Sequence, residues 1–142
     1  MAYREKLAWL TLGLMLVAYT IYFAFVGPAV GFGQERLMDV IWSFGWVAAG
    51  HGLAALLGFA ILFFASGREG RGKPDERDRA IQRRGATAGY GVLLTGMILV
   101  GVAMPFSEPP WKIVNTALLA IVVAEVIKDV VVLVSYRRGW SG

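Results

Sequence analysis

The chain has 142 residues, 57% of them hydrophobic and only 17% charged, against roughly 25% charged in soluble domains, and its mean hydropathy is +0.60. Its charges gather in short blocks between four long apolar runs, a pattern that excludes an ordinary soluble core. The absence of cysteine excludes disulfides, thiolate metal sites and cysteine nucleophiles, and the net charge of +4 sits at the ends of apolar runs, where topology accounts for it without a nucleic-acid partner.

The first run, 7–26, follows Arg4, Glu5 and Lys6 and carries no charge. At 1.5 Å per residue it makes about 30 Å of helix, the thickness of a bilayer's hydrocarbon core. A signal peptide has an apolar stretch of about 7–15 residues and a small-residue cleavage site. This run is longer and ends in aromatics and Val26-Gly27-Pro28, so it reads as a retained membrane helix. Trp9 near one end and Tyr22, Phe23 and Phe25 near the other fit interfacial aromatic belts.

An outer turn, 27–39, leads to a second span, 40–65, with Trp42 and Trp46 near its entry and Gly50, Ala54 and Gly58 at four-residue spacing. Small residues so placed line one helix face and admit another backbone, although glycine and alanine are common in membrane helices in any case. The central loop, 66–84, is hydrophilic and arginine-rich. Its second half is expected to open the third helix, with Pro74 in the first turn, Asp75, Glu76 and Asp78 at the positive helix start, and Arg79, Arg83 and Arg84 following. Asp75 and Glu76 are spaced to pair with Arg79. The third span, 85–104, places Gly85, Gly89, Gly96 and Gly101 for close contacts. After a short outer turn, 105–112, the fourth span, 113–136, exits through Tyr136-Arg137-Arg138-Gly139. All five prolines lie outside the apolar interiors, which suits unbroken helices. The chain thus reads as one all-α, polytopic domain of four transmembrane helices in two hairpins.

Eleven of the fourteen Lys and Arg residues flank the inner ends: Arg4, Lys6, Arg68, Arg71, Lys73, Arg77, Arg79, Arg83, Arg84, Arg137 and Arg138. The outer turns hold only Arg36 and Lys112. This bias predicts cytoplasmic termini and a cytoplasmic central loop, with the basic surface against anionic lipid headgroups.

The fourth span contains Glu125, Lys128 and Asp129, neighbours on one helix face. Ionisable groups are costly in lipid, so this face is expected to turn toward the bundle or a partner. Glu125 stands about 21 Å along the helix from Trp111 and about 16 Å from Tyr136, close to mid-membrane. Lys128 lies nearer the inner end, within snorkelling reach of the interface. His51, the only histidine, falls at similar depth on the second span. Should the two faces meet, His51 and Glu125 form a buried pair with a proton that moves near neutral pH. The plainer alternative is a hydrogen bond that pins the bundle, and one histidine without cysteine is thin support for metal or haem. Asp75, Glu76 and Asp78 bring three carboxylates together, but neighbouring arginines and the helix start favour capping and salt bridges to Arg4, Lys6, Arg137 or Arg138 over a metal site. The alternative for this segment, 75–84, is a docking surface for a cytoplasmic protein. No phosphate loop, hydrolase elbow or catalytic triad is present, so the sequence implies no catalytic residue and no cofactor.

Arg4-Glu5-Lys6-Leu7-Ala8-Trp9, Asp75-Glu76-Arg77-Asp78-Arg79 with Arg83, and Glu125-x-x-Lys128 leading to Tyr136-Arg137-Arg138-Gly139 resemble a functionally uncharacterised family of small, four-helix bacterial inner-membrane proteins with a DERD motif in the cytoplasmic loop. The resemblance implies the inner membrane and no particular activity. It leads one to expect less acidity at Asp129 and a polar residue where Val132 stands. The expectation is a non-enzymatic protein that works by association, as an oligomer or accessory partner; the rival is a small proton-coupled transporter acting as a homodimer.

Overall fold

The computed structural model describes residues 3–26, 28, 37–67 and 72–139. The expectations for 29–36, 68–71 and Trp140 lie outside the described residues. Four long helices account for nearly all of the rest: α1 (Tyr3–Ile21, continued by a π-helical turn, Tyr22–Val26), α2 (Leu37–Ala65), α3 (Glu76–Ile98, continued by a π-helical turn, Leu99–Ala103, and a 3-10 turn, Met104–Phe106) and α4 (Pro110–Arg137). The architecture is all-α and polytopic. α1, α2 and α3 are long and apolar enough to cross a membrane. α4, with Glu125, Lys128 and Asp129 in its second half, is not among those three.

Local sequence sets the helix ends. Asp75 is the N-cap of α3, in a capping box in which the Asp78 N–H donates to Asp75 Oδ1 at 2.6 Å and Asp78 Oδ2 accepts from the Asp75 N–H at 3.4 Å. Two orphan donors are thereby satisfied reciprocally. Pro74 therefore precedes the cap instead of occupying the first turn. The Asp75 carboxylate is engaged by this cap, and neither Asp75 nor Glu76 forms the expected pair with Arg79. Gly67 and Gly139, at φ +54° and +66°, take the left-handed conformation just past α2 and α4, where a glycine ends a helix without steric cost. The helices are not wholly regular, contrary to the sequence reading: each π-helical turn stops two residues short of a proline, Pro28 or Pro105. Proline lacks the N–H and crowds the carbonyl four residues back, and a widened turn relieves both.

The packing is unequal. α3 and α4 form the tightest pair, and glycine is the reason. A Cβ on Gly85 would lie 2.6 Å from Val132 Cγ2, one on Gly89 2.9 Å from the Ala124 carbonyl oxygen, and one on Gly96 2.6 Å from Ala120 Cβ. Small residues let the backbones approach to this degree. Gly101, expected to share this role, meets nothing within 4 Å. α1 lies against α4, where Ala8, Leu12, Ile81, Val132 and Leu133 make the buried core near the arginine-rich end. Val132 is 98% buried over Gly85, which explains an apolar residue there. At the other end Tyr22, fully buried, bonds Asn115 Oδ1 through its hydroxyl at 3.1 Å and packs edge-on against Phe44 of α2. α2 is the outlying helix. Only Val40 of its residues is buried, and of its small-residue face Gly58 covers Leu10 of α1 while Gly50 meets nothing within 4 Å.

Candidate functional site

Three segments distant in sequence converge at the arginine-rich end. Asp78, in the first turn of α3, has two partners besides its own cap role: Arg4 Nε lies 2.8 Å from Oδ2, and the Tyr136 hydroxyl donates to Oδ1 at 2.7 Å. Arg4 also reaches the Gly72 carbonyl oxygen at 3.4 Å. Arg137 pairs with Glu5 at 3.9 Å and lies 5.1 Å from the centre of the Trp9 ring, close enough for a cation–π contact. Of the four basic residues expected to meet the acidic helix start, Arg4 does so, whereas Arg137 turns to Glu5. Asp75, Glu76, Arg77, Arg79, Arg83 and Arg84 remain on the exposed side of α3, and of the segment's charged residues Asp78 alone is half-buried.

Below this junction α1, α3 and α4 enclose a cleft of about 170 Å³, lined by Arg4, Thr11, Gln82, Lys128 and Asp129 among apolar neighbours. Each polar group arrives by helical spacing. Gln82 is one turn past Asp78 on α3, and Thr11 is two turns past Arg4 on α1. Asp129 is 93% buried and adjoins the Thr11 hydroxyl; Lys128 Nζ lies 3.9 Å from its Oδ1. Lys128 makes its closer ion pair with Glu125, one turn back along α4. Side chains on a helix lean toward its N-terminus, so Lys128 reaches toward the middle of α4 and not, as the snorkelling expectation had it, toward the C-terminal end.

His51 is elsewhere. Its ring meets Tyr19 of α1 edge-on, with centroids 5.4 Å apart, and Tyr19 in turn stacks on Phe44 at 5.5 Å. No hydrogen bond or ion pair joins His51 to Glu125 among the described residues. The postulated histidine–carboxylate pair does not form within the chain. Sequence reasoning missed Thr11, Gln82 and the Tyr22–Asn115 bond. Asn115, a lone amide in an apolar run, was a legible signal; Thr11 and Gln82 gave none until helix contacts placed them.

Among the described residues, no three His, Cys, Asp or Glu side chains converge as a metal-binding set, and no buried side-chain nitrogen or oxygen lacks a hydrogen-bond partner. The chain matches no family model, no curated protein and no solved structure.

Proposed function

We propose that this is a four-pass, non-enzymatic protein of the bacterial inner membrane that works by association, with both termini and the 66–84 loop on the cytoplasmic side. The orientation is supported by the concentration of Lys and Arg at one end, and the inner-membrane setting by the resemblance of the Arg4–Trp9, DERD and Tyr136–Gly139 segments. The observation that carries the association reading is that the charged groups in and around the cleft are paired within the chain. Arg4 is paired with Asp78, Lys128 with Glu125 and Asp129, and Tyr136 with Asp78. Such a network holds helices in register and leaves the outward arginine face and the apolar flanks of α2 and α4 to meet partners.

Reporter fusions placed after Lys73 and after Ser107 test the topology; a periplasmic signal at Lys73 removes it. Mass measurement in mild detergent tests association, and a lone monomer with no retained partner counts against it. The rival, a proton-coupled homodimeric transporter, is favoured by one feature, the buried Asp129 on a polar cleft. Proton flux in proteoliposomes that is unchanged by Glu125→Gln and by Asp129→Asn removes this rival.

A further inference from the structure

The Glu125–Lys128 ion pair is not enclosed by the chain that makes it: the Glu125 side chain keeps 43% of its exposure and Lys128 32%. Glu125 stands about 22 Å along α4 from Pro110 and about 18 Å from Arg137. With α4 crossing the bilayer, the pair therefore lies at hydrocarbon depth, where exposed charge is unfavourable unless protein or water covers it. Gly85 and Gly89 of α3 cover the backbone side of Lys128, and His51 makes no polar contact with Glu125. Ile121, one turn before Glu125 on the same side of α4, is 46% exposed. A strip of α4 that carries a charge pair is thus left open in the single chain.

We propose that the Ile121–Glu125 face of α4 is buried against the same face of a second copy of this chain, with Glu125 of each copy meeting Lys128 of the other. The argument is charge complementarity. Two copies related by a two-fold axis along the membrane normal hold each residue at equal depth. Glu125 and Lys128 differ in depth by about 4.5 Å, within the reach of their side chains, so crossed pairs form and the four charges sum to zero. A face bearing one sign would repel its own copy, whereas this face supplies its own counter-charges. A different partner would have to bring matching ones. The inference rests on the four-pass reading above, because only at hydrocarbon depth does the open pair demand cover.

The chain has no cysteine, so single-cysteine variants report without background. Oxidation in native membranes should link Ile121→Cys into a product of twice the 15.5 kDa chain mass. Val123→Cys, 40% exposed but on the opposite side of α4, should stay monomeric. Adding Glu125→Lys to Ile121→Cys should lower the linked yield by about tenfold, the effect of one strong interhelical polar contact. Adding Lys128→Glu as well should restore it. Cross-linking at Val123 but not Ile121, at neither position, or at Ile121 with no response to Glu125→Lys overturns the proposal. A membrane-impermeant thiol reagent applied to Lys112→Cys and Arg138→Cys in sealed vesicles separates the two levels of failure. Labelling from opposite sides establishes that α4 crosses, so that failure at Ile121 is failure of the seam alone; labelling from one side overturns both.

Discussion

The phenolic hydroxyl of Tyr136 donates to Asp78 Oδ1 at 2.7 Å, tying the last turn of α4 to the first turn of α3, while Arg4 of α1 holds the other oxygen of the same carboxylate at 2.8 Å. One side chain thus joins three helices and completes the cap of one. Asp78→Ala removes the cap return, the ion pair and the hydrogen bond together. We expect it to destabilise the fold by about 2 kcal/mol or more, and Tyr136→Phe by about 1 kcal/mol. Thermal midpoints in mild detergent check the order, and a Tyr136→Phe effect equal to that of Asp78→Ala would contradict the shared-carboxylate account.

The glycines of α3 and α2 make opposite predictions. Gly89→Ala sets a methyl 2.9 Å from the Ala124 carbonyl oxygen, a backbone atom that cannot swing away. The helices must separate, at a cost of about 1–3 kcal/mol. Gly50→Ala meets nothing within 4 Å, so the detergent stability of the single chain should change by less than about 0.5 kcal/mol. Parallel unfolding of the two variants decides the matter.

Tyr22 and Asn115 pin α1 to α4 at the end opposite Asp78. Tyr22→Phe keeps the ring packing against Phe44 and Phe23 and loses the hydroxyl bond, with an expected loss of about 1 kcal/mol. Tyr22→Ala also empties a fully buried site and should cost about 3–5 kcal/mol by analogy with other large aromatic truncations. Equal losses would mean that the hydroxyl, not the ring, dominates.

Lys128 stands between two carboxylates. Lys128→Met leaves Glu125 and Asp129 without their cation and should destabilise by about 2–3 kcal/mol, below the range for a fully buried pair because Lys128 keeps about a third of its exposure. The triple variant Glu125→Gln, Lys128→Met and Asp129→Asn removes the charges as a set and should recover at least half of that loss. Failure of the triple variant to recover would show that the charges stabilise by more than mutual neutralisation.

Much of the helical plan was legible in the sequence because apolar length and proline position are local properties. Asp75 and Asp78 announced the start of α3 for the same reason: a helix leaves its first N–H groups unpaired within a few residues of the cap, and nearby carboxylates answer them. The turn chemistry beside the prolines was less visible. A run free of proline promised regular helix, yet Pro28 and Pro105 act backward on the turns that precede them.

The partners of individual side chains were another matter. Period alone puts Glu125, Lys128 and Asp129 on one face and His51 at similar depth, but it carries no information about how far each helix is rotated about its axis. That rotation is set where α3 and α4 close on Gly85, Gly89 and Gly96, and where Asp78 and Asn115 tie the helix ends. Once it is set, Asp129 turns toward Thr11, Lys128 reaches back to Glu125, and His51 is left against Tyr19. The amino-acid order by itself determined that four helices form and roughly where each lies, because backbone hydrogen bonding and apolar length act within a segment. Only the tertiary structure decided which polar groups meet, because close packing of backbones selects one rotation of each helix out of all those that the same hydropathy allows.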